Sequence, residues 1–249
     1  MANIEWITGM QMTEDSGLQV VAAHEPRLIL FDCDGTLMDS HHHIVAVMLQ
    51  AFEDCGMTPP DPAAVLPVIG MSLSLAVQRL LPQAEGEVRD AVVERYRHLY
   101  RTLPAGYGLF DGVRETLIEL GRRGYWLGIV TGKSHAGLLR VLDDFELGGH
   151  FLVIRTSDHC PSKPHPAMVE ECMAEMGVTA GQTTVIGDAL LDMQMARNSG
   201  ARALGVSFGV ADGASLLAAG ALAIVDEFDA LLEHFPPLQS MHPLPTIRV

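Results

Sequence analysis

Leu28-Ile29-Leu30-Phe31-Asp32-Cys33-Asp34-Gly35-Thr36-Leu37-Met38-Asp39-Ser40 runs from four uninterrupted apolar residues straight into an acidic turn. A short run that is apolar at every position, and not at every second one, is the mark of a strand covered on both faces. Similar runs recur at Leu127–Val130, Leu152–Ile154, Thr184–Ile186, Ala203–Val206 and Leu222–Val225. Helical patterns lie between them: Val113, Leu117 and Leu120 share one face before Gly121, and Leu138, Leu139 and Leu142 form another. Strand–helix alternation of this kind predicts an α/β fold, a doubly wound, Rossmann-like parallel sheet.

One segment departs from the alternation. Between Asp39 and Asp111 the periodicity is helical only, with one stripe at Ile44, Met48, Ala51, Phe52 and Cys55 and another at Val88, Val92, Tyr96 and Leu99. The pattern predicts an α-helical insertion over 42–105, with Thr58-Pro59-Pro60-Asp61-Pro62 as a connector. The core domain would then be discontinuous, over 27–41 and 106–235. Residues 1–26 read as an N-terminal leader, and 236–249 as a Pro-rich tail on the surface. No internal repeat is present.

With 249 residues, 48% apolar and 19% charged, the chain has ample material for a hydrophobic core. Its formal net charge of −15 opposes a phosphate backbone or an anionic membrane, so neither nucleic acid nor membrane is expected as a partner. Met1–Gln11 lacks the basic region and apolar run of a signal peptide, and no apolar stretch reaches membrane-spanning length. Cys33, Cys55, Cys160 and Cys172 show no CxxC spacing and read as free thiols in a reducing cytoplasm. The same negative charge poses a problem for an anionic substrate, which only local positive charge can solve.

Four segments carry chemistry, each at a predicted strand end. Alternate residues of an extended chain point the same way, so Asp32 and Asp34 project together from a carboxyl end, where open α/β sheets bind ligands. Two such carboxylates repel unless a cation or shared proton intervenes, and a hard cation such as Mg²⁺ suits them; a plain acidic turn is the alternative. Thr131 and Gly132, after the strand Ile129-Val130, offer a hydroxyl and an approachable amide to a phosphate, or form a solvated turn. In Ser162-Lys163-Pro164-His165-Pro166, two prolines fix the path of a loop around a lysine. The chain has only two lysines, Lys133 and Lys163, and each falls in one of these loops. In Gly187-Asp188-Ala189-Leu190-Leu191-Asp192, Asp188 and Asp192 add oxygen ligands near the same strand ends, although Asp188 can also cap the helix that follows.

Together and in this order, the four segments resemble the haloacid dehalogenase superfamily of hydrolases over residues 27–235. The similarity is greatest to the branch with a helical cap inserted after the first motif, which includes phosphoglycolate phosphatases and β-phosphoglucomutases. The resemblance implies a Mg²⁺-dependent phosphatase acting on a small phosphorylated metabolite, with phosphoglycolate the first candidate. It implies Asp32 as the nucleophile that forms an aspartyl-phosphate and Asp34 as general acid and base. Thr131, Gly132 and Lys163 would hold the phosphoryl oxygens. Mg²⁺ would sit on Asp32, the Asp34 carbonyl and Asp188, with Asp192 ordering its water or standing behind it. True dehalogenases of the superfamily lack the second acid, and phosphonate hydrolases need a cap lysine that 42–105 does not contain. A sugar-phosphate mutase, a nucleotidase or a pyrophosphatase are the enzymatic alternatives, and a non-catalytic binding protein the remaining one. By the same resemblance Gly70-Met71-Ser72 is the insertion loop that nears the site, and Arg79, Arg95, Arg97 and Arg101 are the cations available to a substrate carboxylate. A monomer and a homodimer are both compatible with the sequence.

Other residues read as structural. His41, His42 and His43 are consecutive and cannot converge on one ion from a helix, so they form a polar hinge. Cys33 alternates away from the aspartates into the core. His165 is held between prolines, and Met168, Met173 and Met176 pack a helix.

Overall fold

A computed structural model describes residues 27–103 and 106–238. The leader expected over 1–26 and the tail beyond 238 lie outside the described residues. Among the described residues, six strands form one sheet: β1 (Leu28–Phe31), β2 (Trp126–Thr131), β3 (Val153–Thr156), β4 (Thr183–Gly187), β5 (Arg202–Val206) and β6 (Ile224–Val225). Their order is β3-β2-β1-β4-β5-β6 and every pair is parallel. β1 therefore lies centrally, with β2 on one side and β4 on the other, at the point where the winding reverses. Phe31 is level with both Ile129 and Ile186, so the three central strands deliver their following residues to one edge.

Four helices separate β1 from the rest of the sheet in sequence: α1 (His41–Asp54), α2 (Pro62–Val65), α3 (Leu73–Leu80) and α4 (Gly86–Thr102). The remaining helices are α5 (Val113–Arg122), α6 (His135–Asp144), α7 (Ala167–Met176), α8 (Leu190–Ser199), α9 (Gly213–Ala219) and α10 (Leu231–His234). Side chains alternate across β1. Ile29, Phe31 and Cys33 join the layer of α5, α6 and α10, while Leu28 and Leu30 join that of α7, α8 and α9. Both faces of the strand are buried, as its unbroken apolar run requires. Cys33 is core, as expected, and Met168 is buried with Met173 and Met176 packed beside it.

α1 to α4 have a core of their own, built from Val47, Met48, Phe52, Val65, Val77, Val92 and Leu99. The two helical stripes expected over this segment account for much of it. Two expectations are corrected. Leu222 is 65% exposed, and the last strand is reduced to Ile224–Val225, because an edge strand needs only the few residues its single neighbour pairs. Leu139 is 46% exposed: α6 faces the sheet through Leu138, Val141 and Leu142, and one residue onward a helix has turned about 100° away.

Candidate active site

The carboxyl ends of β1, β2 and β4 converge with the loop before α7. Asp32 continues β1, its amide bonded to the Ile186 carbonyl at 2.9 Å. The chain must then turn sharply, and Gly35 does so at φ +82°, where a side chain would be strained. A Cβ at Gly35 would also lie 2.1 Å from Asp188 Oδ2, so the glycine gives the second acid its room. Asp188 does not cap α8. It instead accepts hydrogen bonds from the Thr36 hydroxyl at 2.8 Å and the Val210 amide at 2.9 Å, which fix it against the β1 turn. Asp192 takes over the helix start, accepting the Ala189 amide through Oδ2 at 3.1 Å.

One carboxylate oxygen from each of Asp32, Asp188 and Asp192 lies within 4.8 Å of the others, and all three residues are buried. Lys163 is fully buried among them, 2.7 Å from Asp32 Oδ1 and 2.6 Å from Asp192 Oδ1. An unpaired buried ammonium would cost several kcal/mol, and these two carboxylates offset that cost. Burial lowers the affinity of Lys163 for its proton, but the charges of Asp192 and Asp32 outweigh burial and hold it above its ordinary value. Three carboxylates still face one ammonium, two negative charges in excess. Burial first, and then neighbouring carboxylates, push Asp32 to about 7 and Asp188 to about 8, although Lys163 pulls Asp32 the other way. Asp32 Oδ2 has no hydrogen-bond partner among the described residues. An oxygen-lined pocket with this surplus fits a hard divalent cation in charge and in donor type.

Asp34 faces a different partner. Its two oxygens accept from Lys133 Nζ at 2.6 and 2.7 Å, and Oδ1 also accepts from the Ser40 hydroxyl at 2.6 Å. Sequence reasoning noticed Lys133 as one of two lysines but gave it no role, and it missed Ser40 and Thr36. The lysine count was the available signal.

The helical segment closes over this edge. A Cβ on Gly132 would lie 2.3 Å from the Gly70 carbonyl oxygen and 2.5 Å from that of Met71. The Ser72 amide donates to Ser162 Oγ at 2.8 Å, and Lys133 Nζ donates to the Tyr100 hydroxyl at 3.1 Å. The loop 70–72 therefore meets both the β2 turn and the Lys163 loop, as expected. Thr131 is buried beside it, its hydroxyl accepting the Lys133 amide at 3.2 Å. The four arginines available to a substrate carboxylate separate. Arg97 and Arg101 line the cavity between the helices and the sheet edge; Arg95 pairs with Asp54, and Arg79 is not in the lining. His41, His42 and His43 open α1, and no described metal-ligand cluster includes them. His165 accepts the Ala167 amide at 3.2 Å, a local role at the start of α7.

Comparison with known proteins gives the chain a family. The family model described as haloacid dehalogenase-like hydrolase matches residues 29–206. A protein of Dickeya dadantii (strain 3937) named "Probable phosphatase IndB" is 35% identical over 210 residues, covering 82% of this chain and 91% of that protein. A phosphoglycolate phosphatase of Pseudomonas putida is 30% identical over 214 residues, covering 83% of this chain and 79% of that protein. The crystal structure of a hydrolase from Pseudomonas syringae superposes with a TM-score of 0.76 at 27% identity, covering 84% of this chain and 97% of that one.

Proposed function

Because the chain belongs to the haloacid dehalogenase-like hydrolases, we propose that it is a Mg²⁺-dependent phosphatase that cleaves a small phosphomonoester through an aspartyl-phosphate on Asp32. The observation that carries this reading is the pairing of Asp32 with Lys163 at 2.7 Å, beside Asp188 and Asp192, while Asp32 Oδ2 has no hydrogen-bond partner among the described residues. A buried carboxylate with one oxygen held and one available is suited to attack phosphorus. Phosphoglycolate, named for the Pseudomonas putida relative, is the reference substrate.

In the first half-reaction Asp32 attacks phosphorus and the bond from phosphorus to the ester oxygen breaks. Asp34 delivers a proton to that oxygen, releasing the alcohol. In the second half-reaction Asp34 accepts a proton from water as the water attacks phosphorus, and the bond to Asp32 breaks to give inorganic phosphate. Lys163, the Thr131 hydroxyl and the Gly132 amide hold the equatorial oxygens, where charge accumulates. Asp32, Asp188 and the Asp34 carbonyl would hold the cation, with Asp192 ordering Lys163 and bound water. When bound, the cation would supply charge neutralisation for the phosphate oxygens beside Asp32.

We assign α1 to α4 as the cap, with residues 42–105 as its extent, closing through loop 70–72 to exclude water. Four free thiols suit a reducing compartment, and we place the protein in the cytoplasm. The test is phosphate release from phosphoglycolate and related esters with and without Mg²⁺. Release that Asp32→Asn or EDTA abolishes supports the reading, and wild-type protein inert toward every ester overturns it.

A further inference from the structure

Between α1 to α4 and the sheet edge lies a cavity of about 550 Å³, with Asp34, Gly132 and Lys133 in its lining. That is within the range of sites that enclose drug-sized ligands. At roughly 30 Å³ per heavy atom, the room one water takes in the liquid, the ~9 heavy atoms of a two-carbon phosphoester would fill at most about half of it. The helical segment gives this lining an apolar part: Ile44, Met48, Val68, Ile69, Tyr96 and Tyr100. The two tyrosine rings stack on each other, centroids 5.7 Å apart and planes 25° apart. Water against these apolar side chains makes few hydrogen bonds, so its displacement there by an apolar group is favourable.

Charge is distributed unevenly around this cavity. Arg97 and Arg101 come from α4 and Arg140 from α6 on the opposite wall; all three are exposed. In a chain of net charge −15, three arginines on one cavity oppose the general field. Asp158, an acid in the same lining, accepts the His135 amide at 2.7 Å. Arg97 pairs with the exposed Glu94, a contact of small worth that an incoming anion can replace. Arg140 has no charged partner within ion-pair distance among the described residues.

From this, and resting on the phosphatase reading, we infer that the preferred substrate is a phosphomonoester whose alcohol has a ring-sized apolar body ending in an anionic group. The phosphoryl group occupies the end lined by Asp34 and Gly132, the body lies against Tyr96, Tyr100 and Met48, and the distal anion meets Arg97, Arg101 and Arg140.

The experiment compares kcat/KM for phosphoglycolate, benzyl phosphate and 4-carboxybenzyl phosphate with Mg²⁺. All three are esters of primary alcohols, so leaving-group chemistry changes little and cavity occupancy changes most. The inference expects 4-carboxybenzyl phosphate to exceed phosphoglycolate at least tenfold. Arg140→Ala should lower its advantage over benzyl phosphate several-fold, mainly through KM. Ala136→Trp, at an exposed cavity position on α6, should cut the ratio of 4-carboxybenzyl phosphate to phosphoglycolate. If phosphoglycolate matches or exceeds both benzyl esters, the inference is overturned while the phosphatase reading stands. If no ester releases phosphate, the phosphatase reading fails and the inference fails with it.

Discussion

Lys133 Nζ lies 2.6 and 2.7 Å from the two carboxylate oxygens of Asp34 and 3.1 Å from the Tyr100 hydroxyl of α4. Burial opposes the charge on Lys133, but Asp34 outweighs it and holds the ammonium well above its ordinary value. In the proposed mechanism the acid–base residue is thus fixed by a cation that also touches α4, which would couple the position of Asp34 to closure of the proposed cap.

If Asp34 protonates the leaving oxygen, its removal should matter most where the alcohol is a poor leaving group. Asp34→Asn is expected to lower kcat on alkyl phosphates by about 10²–10⁴-fold, and to harm p-nitrophenyl phosphate much less, since p-nitrophenolate leaves without a proton. Equal losses on both esters would exclude Asp34 as the general acid. Lys133→Met should lower kcat on alkyl esters at least tenfold with a smaller change in KM, because Asp34 loses its orienting partner.

Gly132 has no space for a side chain under the Gly70 and Met71 carbonyls. Gly132→Ala is expected to hold loop 70–72 away from the β2 turn. The contact is with backbone, which cannot swing aside as a side chain end would. Steady-state kinetics should show reduced kcat and raised KM together, with the thermal midpoint changed by only a few degrees. Wild-type kinetics in this variant would mean that the loop is not part of closure.

Asp32 and Asp188 are raised to about 7 and about 8 from 3.8, in both cases first by burial. The unfolded chain releases these protons near pH 4, while the metal-free fold keeps them until about pH 7–8. The fold then binds more protons than the unfolded chain between those limits, so metal-free stability should decline as pH rises through that window and level off above it. Thermal unfolding at about pH 5.5 and 8.5 checks the sign. Added Mg²⁺ should raise the midpoint more at the higher pH, where protons no longer compete for the carboxylates. A larger shift at the lower pH would contradict the assignment, and Asp188→Asn should remove most of the effect.

Much of this was legible in the chain, for reasons particular residues make plain. The buried run Leu28–Phe31 reads as a central strand, because a strand covered on both faces is apolar at every position, and its four residues are too few for a buried helix. Asp32, Lys163, Asp188 and Asp192 were each found at strand ends or their loops, and the fold brings them together. The pairing of Asp34 with Lys133 was not legible, since 99 residues separate them and only the parallel register of β1 with β2 places their turns side by side. Which arginines face the cavity also depended on helix rotation. Arg95 and Arg97 are two residues apart on α4, and about 200° of turn sends one to Asp54 and the other to the cavity. Arg140 lies on α6, outside the inserted helices.

Phosphate release by wild type and by Asp32→Asn, each with Mg²⁺ and with EDTA, tests the central claim most directly. The account predicts turnover only for wild type with Mg²⁺, and a loss of at least 10³-fold in the variant despite an unchanged fold by circular dichroism. Substantial Mg²⁺-dependent release by Asp32→Asn would contradict it, because the nucleophile would then lie elsewhere.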